Sequence, residues 1–126
     1  MSDGWEICMK KQVREQAAMM TRWGRAIDPE HVLDEYPRPE MVRESYLNLN
    51  GMWDYAITES EAFPQKYDGK ILVPFSPEAP LSGVNRILQP GEYLHYEKQF
   101  TLCKENHVRY LLHFGAVDQI CKVYVN

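Results

Sequence analysis

The side chains that could carry out catalysis are carboxylates, imidazoles and hydroxyls. Catalysis by a carboxyl pair needs one group with a raised pKa beside one that stays ionised. Candidate pairs in the sequence include Glu59 with Glu61 and Glu92 with Glu97. They lie on or beside predicted strands and loops, with no neighbour in the sequence that would raise one pKa. We interpret these carboxylates as solvated, and we expect no catalytic residue in this chain.

The histidines and serines show no spacing that is typical of a metal site or a nucleophile. The four histidines lack the H-x₃-H pattern and have no cysteine nearby in a zinc arrangement. His113 lies in a predicted apolar strand, where we expect it to be a hydrogen-bonded packing residue. No serine lies in a G-x-S-x-G elbow. We therefore expect no metal site and no cofactor.

Ligand binding has two kinds of candidate. Aromatic rings can stack on the C–H faces of sugars, and the aromatic candidates are Trp23, Trp53, Tyr55 and Tyr96. Because Trp53 and Tyr96 occupy alternating strand positions, we interpret them first as core residues. The better candidate is a polar loop whose backbone amides and side chains suit hydroxyl groups. Its candidate substrate-binding residues are Ser82, Gly83, Asn85 and Arg86. The alternative is a structural loop that closes the edge of a sheet.

The elements that would position these residues change character along the chain. Apolar residues recur at helical spacing from Trp5 to about Trp23, and a short helical turn follows at 28–31 with Asp28 as cap. The prolines at 37 and 39 then predict an extended connection. We expect residues 1–35 to be a helical extension and linker, and residues 36–126 to be the domain that follows. The helix could cover an open sheet edge or dock on a second subunit.

From Gly51 onward the apolar residues alternate with a period of two, which predicts β-strands. The predicted strands are Gly51–Ile57, Lys70–Val73, Tyr93–Leu102, Tyr110–Phe114 and Ile120–Val125. Residues 74–90 form a long loop that contains four prolines, and loops of this length are often functional. Short strands at this spacing predict an antiparallel sandwich or barrel. Since Asn126 is a typical first residue of a hairpin turn, we expect the strand before it to lack its partner.

From about Thr21 onward the sequence resembles the N-terminal sugar-binding domain of glycoside hydrolase family 2, which includes β-galactosidases, β-glucuronidases and β-mannosidases. Four ordered stretches carry the resemblance. They are Tyr36-Pro37-Arg38-Pro39 with Leu49 to Tyr55, Ile71 to Phe75 with Pro80 to Gly83, Tyr96 to Phe100, and Leu111 to Asp118 with Val123 to Asn126. Each is weak alone, but four in the right order over about 100 residues are specific.

This resemblance implies an all-β, jelly-roll-like antiparallel β-sandwich of the galactose-binding type, incomplete at its C-terminus and preceded by an N-terminal helix. In the family, further strands, an immunoglobulin-like domain and a (β/α)₈ barrel follow, and the two catalytic glutamates lie in the barrel. No glutamate of this chain inherits either role. Loops of the family's N-terminal domain can reach the rim of the barrel's active site, which is consistent with the loop at Ser82–Arg86.

Composition limits the other classes of function. The chain has 126 residues, of which 44% are hydrophobic, and a net charge of −4 with mixed signs. We therefore expect one domain or part of one, with no nucleic-acid partner and no membrane span. No apolar segment typical of a signal peptide follows Lys10 and Lys11. Three widely spaced cysteines predict reduced thiols and a cytoplasmic protein, and a Cys103–Cys121 bridge is the alternative.

Three interpretations of function follow. The first is a non-catalytic domain of a glycosidase. Its partners would be the other domains of that enzyme, and it would meet a carbohydrate, a β-glycoside, through the parent enzyme. The second is an autonomous carbohydrate-binding module. The third is a structural or oligomerisation domain. An open sheet edge beside Val123 and Val125 would also favour a homo-oligomer or an edge-paired dimer.

Overall fold

The fold is known from a computed structural model that describes residues 20–103 and 108–126. Within these ranges the helical elements are short: α1 is Arg22–Arg25, and two 3₁₀ helices span Pro39–Met41 and Pro80–Ser82. The strands are β1, Gly51–Thr58; β2, Gly69–Val73; and β3, Tyr93–Glu97. The described chain is therefore mostly β-strand and irregular structure, as the period-two pattern predicts.

The three strands form one antiparallel sheet with the order β2-β1-β3. β1 lies in the centre, with Trp53 opposite Ile71 on β2 and Tyr55 opposite Tyr96 on β3. β1 begins at Gly51, whose φ of +105° is open to glycine and strained for other residues. An added Cβ there would also lie 3.1 Å from the carbonyl oxygen of Pro29, so the N-terminal loop closely approaches the start of the sheet.

Alternation along the strands gives the sheet two different faces. One face carries Trp53 and Tyr55 with Ile71 and Tyr96, and the rings of Trp53 and Tyr96 meet edge to face at 6.3 Å. The other face is mixed. It carries the pair Lys70–Asp54, at 2.8 Å, with Glu97 and His95 on β3, and it also carries the buried side chains of Ala56 and Leu72.

The buried apolar residues are few and come from three parts of the chain: Val32, Ala56, Ile71 and Leu72. Val32, in the loop before β1, is 1% exposed. The amides of Asn48 and Asn50 both donate to the Val32 carbonyl, at 3.2 and 3.1 Å. These bonds fix the loop around Val32 against the entry to β1, so the segment before residue 36 packs against the sheet domain.

The structure corrects several sequence predictions. A continuous helix to Trp23 is wrong in its described part, because Thr21 is extended and its hydroxyl accepts from the Gly24 amide as an N-cap, which starts α1 afresh. The rest of that helix lies outside the described residues. The turn after Asp28 is confirmed, since the Asp28 carboxylate accepts from the Glu30 amide and its carbonyl from His31.

Two predicted strands, 110–114 and 120–125, are not strands in the structure, and β3 ends at Glu97 rather than residue 102. Alternation alone does not supply a pairing partner, and an isolated strand is not stable in water. Their apolar side chains are instead exposed, with Leu111 at 74% and Ile120 at 88%. The strand edge predicted before Asn126 is therefore absent, and the described residues form one sheet layer; the second layer of a sandwich stays a prediction.

No helix among residues 20–103 and 108–126 is both long enough and apolar enough to cross a membrane.

Candidate functional site

The loop predicted to bind a ligand is held in place by its own hydrogen bonds. Ser82 is 2% exposed. Its hydroxyl donates a hydrogen bond to the Ala79 carbonyl oxygen at 2.7 Å, and the hydroxyl oxygen accepts one from the Val84 amide at 3.1 Å. A hydroxyl used in this way stabilises the turn after the second 3₁₀ helix. Ser82 thus lies under the loop and supports it.

The other three predicted residues lie on the surface of this loop. Gly83 has φ of +81° and ends the 3₁₀ helix by donating its amide to Pro80, which is the usual role of glycine after a helical turn. Asn85 is exposed and also left-handed, at φ +53°. The Arg86 guanidinium pairs with Glu92, and its amide donates to the Pro77 carbonyl. Of the four residues, Asn85 presents the freest polar side chain.

Two further bonds brace the loop across its base. The Leu88 amide donates to the Glu78 carboxylate, while the Gln89 amide donates to Glu92 at 2.9 Å. Hydrogen bonds from its own backbone amide and from Ser76 and Leu88 hold the pKa of the Glu78 carboxyl below its ordinary value. A loop with this many internal bonds can present Asn85 and Arg86 in a fixed position.

A second concave region lies beside α1. It contains Trp23, one of the aromatic residues that the sequence offered as a ligand-stacking candidate, although the groove around it was not predicted. It is an open groove of about 460 Å³ lined by Trp23, Ala26, Ile27, Asp28, His31, Leu33, Asp34 and Glu35. We call it the Trp23 groove. The Trp23 side chain is 69% exposed, and the Arg22 guanidinium lies 4.2 Å from the centre of its ring. One indole face therefore carries a cation–π contact, while much of the ring remains open to solvent.

An oriented histidine lies in the Trp23 groove. His31 Nδ1 is 2.8 Å from the Asp34 carboxylate, and the other Asp34 oxygen accepts from Asn48 at 3.0 Å. The hydrogen bond to Asp34 raises the pKa of His31 above its ordinary value, and the same bond lowers the pKa of Asp34. Between them lies Leu33 at φ +49°, whose carbonyl accepts from Asn48.

Three of the four glutamates considered for catalysis form separate contacts, and the fourth, Glu59, is exposed. Glu61 pairs with Lys122, and Glu92 with Arg86. Glu97 accepts a 2.5 Å hydrogen bond from the hydroxyl of Tyr67. This bond raises the pKa of Tyr67 to about 12 and lowers that of Glu97. Each of these three carboxylates thus stabilises a loop or strand end.

The histidines differ in environment. His95 Nε2 lies 2.8 Å from the Thr58 hydroxyl and 3.2 Å from the Ser60 carbonyl, so it ties β3 to the end of β1. His113 is exposed and outside any strand, so the prediction that it packs inside a strand is wrong. His107 lies outside the described residues. In the part of the chain that the structure describes, no three His, Cys, Asp or Glu side chains form a group that could hold a metal ion.

No protein-family model matches the chain, and no curated protein matches it.

Proposed function

We propose that this chain is a non-catalytic β-domain of a family 2 glycoside hydrolase, which positions loops beside an active site formed by other domains of the enzyme. The resemblance of the four sequence stretches suggests the family. The observation that carries the proposal is that three of those stretches occupy three adjacent strands or their ends. Leu49 to Tyr55 leads into β1, Ile71 to Phe75 forms β2 and its exit, and Tyr96 to Phe100 begins in β3.

The exposed apolar surface supports a role inside a larger assembly. An amphipathic sheet is stable when its apolar face is buried against another layer. Here Tyr96 of the aromatic face is 41% exposed, and large apolar side chains of 108–126 face solvent, among them Leu111 and Ile120. Patches of this kind mark interaction surfaces in soluble proteins. A domain packed against the rest of an enzyme would cover them.

The braced loop from Pro74 to Glu92 supports a role beside an active site. Its tip offers an amide side chain at Asn85 and a guanidinium at Arg86, while Ser82 and Glu78 hold its base. Carbohydrate hydroxyls both donate and accept hydrogen bonds, so an amide that does both is well suited to them. Asn85 and Arg86 offer hydrogen bonds but neither a carboxyl acid nor a nucleophile, so this loop would position a sugar rather than cleave it.

The test has two parts. The coding DNA should be read past the codon for Asn126, where we expect a frame that encodes a (β/α)₈ barrel with two carboxylates. In parallel, the purified 126-residue chain should be assayed with chromogenic β-galactosides, β-glucuronides and β-mannosides, and we expect no hydrolysis above the buffer rate. Turnover that stays with the chain through successive purification steps, or a continuing frame without a barrel, would contradict the proposal.

A further inference from the structure

We propose that Asn50 is a site of spontaneous deamidation that the folded chain keeps closed, and that its conversion to aspartate loosens the N-terminal loop around Val32 from the sheet. Asn50 is the one asparagine of the sequence that glycine follows. The inference rests on the contacts of Asn50 and does not depend on the proposed function.

The reaction needs only this pair of residues and water. The backbone nitrogen of Gly51 attacks the side-chain carbonyl carbon Cγ of Asn50, and the new N–C bond closes a five-membered imide. The bond from Cγ to Nδ2 breaks, and the amide group leaves as ammonia with the proton of the Gly51 N–H. Water then opens the imide at either carbonyl, which gives aspartate or isoaspartate. Glycine favours the attack because no Cβ shields its nitrogen and its backbone turns freely.

In the folded chain both reacting groups are already engaged. The Asn50 side-chain amide donates to the Val32 carbonyl at 3.1 Å, and the Asn50 backbone amide donates to the side-chain oxygen of Asn48 at 3.0 Å. Gly51 is buried and lies opposite Val73 at the start of β1. Imide formation removes the amide that bonds Val32 and the N–H of Gly51 at the first position of the ladder. We therefore expect the attack to occur in molecules whose entry to β1 has opened locally.

Conversion reverses the interaction at Val32. An ionised carboxylate only accepts hydrogen bonds, so an oxygen without a proton takes the place of the amide that donates to the Val32 carbonyl. Isoaspartate also adds a methylene group to the backbone directly before β1. Val32 is the buried side chain of the N-terminal loop, at 1% exposure. Deamidation is irreversible, so each opening that ends in conversion weakens the attachment of this loop permanently.

The first experiment compares the rate of deamidation in the folded and in the unfolded chain. The full 126-residue chain is kept in a mildly alkaline buffer with and without guanidinium chloride, and samples taken over time are digested with trypsin. The tryptic peptide 44–66 contains both Asn48 and Asn50, so fragment-ion mass spectrometry measures the site and an internal control together. We expect Asn50 to convert about tenfold faster or more in the denaturant, which is the factor for two hydrogen bonds of ordinary strength. Asn48, which Leu49 follows, should convert far more slowly than Asn50 in the denaturant.

A pair of variants tests whether the hydrogen bonds close the site. Asn48→Ala removes the acceptor of the Asn50 backbone amide and should raise the rate at Asn50 several-fold in native buffer, with no change in the denaturant. Asn85→Ala is the matched control, because Asn85 is an exposed asparagine that takes no part in these bonds, and it should leave both rates unchanged. Circular dichroism reports whether each variant is folded.

Asn50→Asp reproduces one product and tests the consequence even if Asn48→Ala does not fold. Its midpoint of urea unfolding should lie about 1 M below that of the unchanged chain. Asn85→Asp introduces the same charge at an exposed position and should leave the midpoint unchanged. Equal rates at Asn50 in folded and denatured chains, or equal midpoints for Asn50→Asp and the unchanged chain, would overturn the proposal. Neither result bears on the hydrolysis assay or on the reading frame.

Discussion

Val32→Ala should destabilise the protein by about 2 kcal/mol. Val32 is 1% exposed, and the change removes two buried methyl groups, each worth ~0.8 kcal/mol in transfer free energy, with a further cost for the cavity that remains. The hydrogen bonds of Asn48 and Asn50 end on the Val32 carbonyl, which the change leaves in place. The substitution therefore measures side-chain packing alone.

The assay is urea unfolding followed by circular dichroism. With an m-value at the low end of the usual range, the midpoint should fall by about 1–2 M while m stays constant. Val42→Ala is the matched control, because Val42 is 64% exposed and its change should stay within about 0.5 kcal/mol. Equal midpoints for the two variants would refute the packing of the 28–34 loop against the sheet.

Two further predictions concern ionisation. Asp34 raises the pKa of His31 above 6.5. The stabilisation from this contact is therefore complete below pH 6.5 and is lost as the pH rises through the folded-state pKa of His31. Asp34→Asn should move the pKa of His31 back toward 6.5 in an NMR titration of the imidazole protons. The hydrogen bond to Glu97 raises the pKa of Tyr67 from 10.0 to about 12, so its stabilisation is complete below pH 10.0 and is lost as the pH rises from there through about 12. Glu97→Gln should make one tyrosine titrate earlier in phenolate absorbance, and an unchanged curve would count against the bond.

The strands were predictable where the sequence contains both alternation and a turn. β1 has Trp53, Tyr55 and Ile57 at alternate positions after Asn50-Gly51, and β2 begins at the turn Asp68-Gly69, so both strands were predicted nearly to their ends. The segments 110–114 and 120–125 are also rich in strand-forming residues but form no strand. A strand depends on a partner elsewhere, and a local pattern does not reveal whether that partner is present.

The two candidate regions also differ in how much of each could be predicted from the sequence. The loop at Ser82–Arg86 could be recognised from its glycine and polar residues, but the burial of Ser82 could not be predicted from them. The Trp23 groove depends on Asn48, which reaches back 14 to 16 residues to bond Asp34 and Val32. Side-chain bonds over such separations leave no periodic signal. Trp23 was among the predicted aromatic candidates, and the three-residue spacing of His31 and Asp34 was a further hint in the sequence.

The chemistry of the two sheet faces indicates where another layer would pack under the proposed function. On the opposite face, Ala56 and Leu72 are already buried, and the groups beside them are charged. Asp54 is paired with Lys70 and Glu97 with Tyr67, and covering these groups would remove charges from water at a cost of several kcal/mol per ion. On the aromatic face, the polar atom of Trp53 is already bonded to the Leu49 carbonyl, so its ring can be buried without leaving a donor unsatisfied. Burial of apolar area there is favourable at about 25 cal/mol per Å². A second layer would therefore pack on the aromatic face, and the ion pairs would remain in solvent.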